Sequence, residues 1–103
     1  MMEVYTKTYK TPNGPVEGLQ AKWSGFSILL VAGTKGFLAC PAIDTEACAS
    51  YGVAAAIVES SADNPIGTLE RFLNRKITKT NAKVRAIGIY EGMDVTDALA
   101  VIA

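Results

Sequence analysis

The chain has 103 residues, half of them hydrophobic, with ten basic and ten acidic side chains and a formal charge of zero. This length supports one core and is short for two ordinary domains. A neutral total recruits neither nucleic acid nor a membrane surface, and no apolar run approaches the ~18–20 residues that cross a bilayer.

Thr11-Pro12-Asn13-Gly14-Pro15 is dense in turn formers and separates Glu3–Tyr9 from Val16–Trp23, which predicts a β-hairpin. In its second strand Leu19, Ala21 and Trp23 alternate with Gly18, Gln20 and Lys22, the pattern of a half-buried strand. Phe26–Ala32 is a nearly continuous apolar run of strand length, consistent with burial on both faces. Gly33-Thr34-Lys35-Gly36 turns the chain into a further strand ending at Cys40, completing an antiparallel meander. Those four residues contain phosphate-loop letters in the wrong order and without the following helix, so they read as a hairpin turn.

Asp44 is placed to cap a short helix that Tyr51-Gly52 ends, and Val53–Glu59 follows as an interior strand. Strand, helix and strand here predict a right-handed parallel crossover, hence a mixed sheet. Ser60–Asn64 is a polar loop; Pro65 suits a first helical turn, and Ile66, Leu69, Phe72 and Leu73 recur at helical spacing. Thr80–Ile87 reads as a helix with Thr80 as N-cap and Gly88 at its end, although Val84, Ala86 and Gly88 also alternate as a strand would. Asp94-Val95-Thr96-Asp97 opens a last helix through Ile102, with Asp94 and Asp97 as caps. The expected fold is one α+β domain over residues 1–103: a mixed, mostly antiparallel sheet of about five strands with three or four short helices.

The sequence holds no histidine, so neither a Ser-His nor a Cys-His pair can form within one chain, and the commonest zinc ligand is missing. Two cysteines are not a disulfide framework; no metal or other cofactor is expected, and a reducing, cytoplasmic setting is the default. The N-terminus also lacks the basic-then-apolar layout of a signal peptide.

Cys40 is the leading chemical candidate. It sits where a strand end meets a helix start, a place that favours a thiolate. The Asp44 carboxylate opposes that charge, and packing as a small apolar side chain is the commoner use of a free cysteine. Cys40 as nucleophile and Cys40 with Asp44 as lining of a ligand pocket both stay open. Cys48 reads as core, and Trp23 and Tyr51 as core or rim packing.

Arg71, Arg75, Lys76, Lys79, Lys83 and Arg85 hold six of the ten basic side chains with no acid between Arg71 and Tyr90. On helices they form a basic face, with Arg75, Lys79 and Lys83 the candidates to meet a small anionic ligand or an acidic partner. Without interleaved aromatics, nucleic acid is a poor fit. Ala98–Ala103 is apolar around most of a helix and must be buried, in its own core or against a second subunit, which makes a homo-oligomer an expectation.

Two segments carry a resemblance. Gly36–Asp44 is similar to the glycine, hydrophobic pair, cysteine, small residues and aspartate of the YunC-like proteins. Ala86–Met93 followed by Asp97-Ala98-Leu99 resembles that family's helix end, Gly-Met turn and final helix. These are small bacterial and archaeal proteins grouped as a domain of unknown function. The resemblance implies the α+β fold and a cytoplasmic setting and transfers no activity. This chain departs from the family in having Pro41 where glycine usually follows the cysteine, which removes a backbone N–H. It also has Val53–Val58 where the family carries arginines.

Overall fold

Pairing of Thr11 with Gly14 makes the first reversal a two-residue hairpin, and Gly14 takes the positive φ of 127° that closes it. The computed structural model describes Met1–Ala103. From that hairpin the chain runs through β1 (Glu3–Thr11), β2 (Gly14–Trp23), β3 (Phe26–Ala32), β4 (Phe37–Ala39), α1 (Thr45–Ser50), β5 (Ala55–Val58), α2 (Leu69–Phe72), β6 (Ile77–Thr80), α3 (Ala82–Ala86) and α4 (Val95–Ile102). The six strands form one mixed sheet in sequence order. All neighbours are antiparallel except β4 and β5, which the α1 crossover makes parallel.

The sheet has one strand more than expected. Ile77–Thr80 pairs with β5, with a register irregularity at Ile57/Val58, and leaves only Ala82–Ala86 as helix. The N-cap of α3 is therefore Asn81 rather than Thr80, its Oδ1 accepting from Val84 N at 2.9 Å. The helix predicted from Pro65 is shorter as well. Gly67 adopts a φ of 67°, and the helix starts only after Thr68, whose Oγ1 accepts from Arg71 N. Ile66 is nevertheless fully buried.

Strand alternation gives the sheet two unlike faces. Val16, Leu29, Val31, Leu38, Ala56 and Val58 point into the main core, where Leu69, Phe72, Val84, Val95, Leu99 and Ile102 of the helices meet them. The last helix buries Val95, Ala98, Leu99 and Ile102 within its own chain, so its apolar surface requires no second subunit. Its C-terminus docks on the β3–β4 turn: Lys35 N donates to Ile102 O at 2.9 Å and Thr34 Oγ1 to Ala103 O at 3.0 Å. Asp94 sits at the N-cap position of α4 but makes no side-chain cap bond; its Oδ1 accepts from Lys76 Nζ at 3.0 Å instead. Cys48 is half-buried rather than core, and Tyr51 is 84% exposed rather than packed. No helix is long and apolar enough to cross a membrane.

Candidate functional site

Three loops meet beyond the end of β4 and enclose a groove of about 520 Å³. That size lies in the range of small-molecule sites, roughly 300–1,000 Å³.

The first wall is the Cys40–Ile43 turn. Cys40 N donates to Leu29 O, which extends the sheet by one residue and turns the thiol to the core side. Ile43 N then donates to Cys40 O at 3.2 Å. Pro41 thus takes the second position of a β-turn, where its fixed φ is favourable and no N–H is needed. Cys40, Pro41 and Ala42 line the groove; Cys40 itself is 7% exposed. Asp44 lies outside it. Its Oδ1 accepts from Glu46 N at 3.0 Å and Ala47 N at 3.1 Å, so the carboxylate caps α1 as expected.

The second wall is the β5–α2 loop, with Ser60, Ser61, Pro65, Ile66 and Gly67. Ser60 Oγ accepts from Ile66 N and Ser61 Oγ from Asn64 N, both at 3.1 Å, which leaves each O–H able to donate. Arg75 holds this loop from behind. Its guanidinium donates to the carbonyls of Glu59, Asn64 and Pro65 and to Asn64 Oδ1, at 2.8–3.1 Å. Gln20 Nε2 adds a bond to Gly67 O. Gly25, Phe26, Ser27 and Leu29 make the third wall; the Phe26 ring itself is on the Trp23 side of the sheet, edge-on to Trp23 at 5.6 Å between centroids.

The fold disperses the basic stretch. Arg75 is buried in the turn before β6, Lys79 is exposed on β6, and Lys83 is exposed on α3; none of the three lines the groove. They do not form one helical face, because the chain turns at Asn74-Arg75 and runs as a strand through Lys79. Phe26, Ser60, Ser61 and Ile66 are among the groove residues that sequence reasoning missed. Ser60-Ser61 was legible only as a loop, since nothing local says that it closes over Cys40.

A family model described as a domain of unknown function, DUF1805, matches residues 39–102, more than half of the chain. The chain belongs to the DUF1805 family. The match agrees with the expected domain of unknown function and brings no YunC-like name with it. It starts at Ala39, so two walls of the groove lie in the DUF1805 segment and the β2–β3 wall lies outside it. No curated protein matches the chain. The crystal structure of a protein of unknown function from Thermoplasma acidophilum superposes with a TM-score of 0.85 at 16% identity, covering 99% of this chain and 95% of that one. At that identity the likeness establishes a shared fold and nothing about activity.

Proposed function

We propose that the chain is a non-catalytic binding module whose Cys40 groove takes a small, uncharged and largely apolar molecule carrying a hydrogen-bond acceptor. One observation carries this reading: the three walls supply apolar surface and serine hydroxyls, and no Asp, Glu, Lys, Arg or Tyr lines the groove. Apolar lining with a few polar handles is the usual make-up of a small-molecule site. The free O–H of Ser60 and of Ser61 suits a carbonyl or ether oxygen on the ligand. An anion fits less well, because no cationic side chain lines the groove and Arg75, behind the loop, already donates to four oxygens. The alternative of Cys40 as nucleophile has no support from a neighbouring base, since the thiol is the groove's one ionisable side chain.

The test is an NMR fragment screen that records amide shifts. Neutral aromatic ketone fragments are expected to move Phe26, Ser60, Ser61 and Gly67, and Ala42→Trp is expected to abolish those shifts by filling the groove. The reading is overturned if neutral fragments move none of these amides, or if inorganic phosphate alone binds and does so at Lys79 and Lys83.

A further inference from the structure

The sheet face opposite the main core is covered over one half and bare over the other. Thr80 pairs with Ala56 on the core side, so Asn81, opposite Ala55, belongs to the outer side. There its Nδ2 donates to the carbonyls of Thr45 and Val53, which fixes the start of α1 against the outer side of β5. Ala39, Ala55 and Ile57 are buried yet lie outside the main core cluster, as outer-face side chains under this segment would. No element covers β1–β3 on the same side. Val4, Leu19, Ala21, Trp23, Leu30 and Phe37 share that face by register and stay partly or largely exposed, Val4 at 56%.

We infer that two copies of the chain pair about a two-fold axis lying in this outer face along the strands, so that the α1 segment of each seats on the bare β1–β3 half of the other. Three observations converge on a second copy as the occupant. First, covered and bare halves lie side by side on one face, so that axis brings the helix of each copy over the gap of the other: the patch is complementary to itself. Second, α1 ends in Tyr51, an aromatic side chain 84% exposed on the segment that would enter the partner's apolar patch. Buried aromatics are the usual anchors of an interface. Third, the area suffices. Three strands ~4.8 Å apart and about seven residues long at ~3.4 Å each make roughly 350 Å². An isologous pair covers that patch on both copies and removes similar area from each covering surface. The total is on the order of 1,400 Å², above the ~1,000 Å² a specific interface needs. The chain's zero net charge adds no repulsion between copies.

Light scattering after gel filtration at about 100 µM chain is expected to return twice the 10.9 kDa chain mass. Leu19→Lys and Tyr51→Ser, both outside the main core, should each keep the wild-type circular dichroism and weaken pairing by at least about tenfold. A monomer at that concentration overturns the inference. So does a dimer that both substitutions leave intact, or one lost on Thr6→Pro alone, which would place the contact on the free edge of β1 instead.

Discussion

Arg75 grips Asn64 at two atoms: Nη1 donates to its main-chain carbonyl at 2.8 Å and Nη2 to its Oδ1 at 3.1 Å. The planar fork of a guanidinium makes this possible, and a lysine cannot reproduce it. Arg75 is only 8% exposed although Glu59, Asn64 and Pro65 are exposed, so losing it removes four part-buried, charge-assisted bonds that hold the loop together. Arg75→Met is expected to cost about 2–4 kcal/mol in urea unfolding, and Arg75→Lys most of that. Hydrogen exchange at Ser61 and Asn64 should accelerate in both, since their mutual bonds no longer rest on a fixed support.

Asn81 and Thr45 are both fully buried and predict opposite outcomes. Asn81 fills all four of its hydrogen-bonding positions, accepting from Ala55 N and Val84 N and donating to the carbonyls of Thr45 and Val53. Thr45 Oγ1 has no partner at all. Asn81→Ala should destabilise by about 3 kcal/mol, because several buried backbone groups lose their only side-chain partner. Thr45→Val replaces an unpaired hydroxyl by a methyl of similar shape. By the same reasoning it should leave the unfolding midpoint equal to or above wild type.

Gly33 is required by closeness rather than by φ. A Cβ there would collide with the carbonyl of Ile102 and would stand 2.9 Å from Ala103 N. Both obstacles are backbone, held by the bond from Lys35 N, so neither can step aside cheaply. Gly33→Ala is expected to cost about 3 kcal/mol, the upper end of overpacking penalties, and to raise exchange in the last turn of α4. Equal stability in the two proteins would refute the docking described for this helix.

The Lys76–Asp94 pair predicts a weak, signed pH dependence. The hydrogen bond to Asp94, and then its charge, raise the Lys76 pKa above the usual 10.5. A folded value above the unfolded one means the contribution is fully present below about pH 10.5 and fades as the pH climbs through the folded value. Both side chains are more than half exposed, at 62% and 57%, so salt should screen the pair. Wild type and Lys76→Met should therefore unfold almost together at neutral pH in 1 M salt. Any wild-type advantage at low salt should fade as the pH climbs through the raised Lys76 pKa.

Legibility in the sequence followed locality. The β1–β2 hairpin, the meander through β4, the Asp44 cap and the buried stripe of α4 are each set by neighbours within a few residues, and the chain reads them correctly, except that β3 is buried on one face only, through Leu29 and Val31. The strand β6 is different. Ile77-Thr78-Lys79-Thr80 has no apolar alternation strong enough to announce it, and it becomes a strand because β5 offers it an edge. That pairing also breaks up the basic face expected on helices. Arg75, Lys79 and Lys83 end on a turn, a strand and a helix, and a charge run in sequence says nothing of where its members point.

The stretch around Cys40 shows the same division. By itself the sequence fixes a strand stop, a Pro-led turn and a capped helix start, because proline geometry, orphan N–H groups and alternating burial act within one turn of chain. The tertiary structure alone decides that Ser60-Ser61 closes over Cys40, that Asp44 stays outside, and that Arg75 braces the loop. Those outcomes depend on contacts 10–40 residues apart, where side-chain chemistry permits many partners and only the packed sheet and its loops select among them.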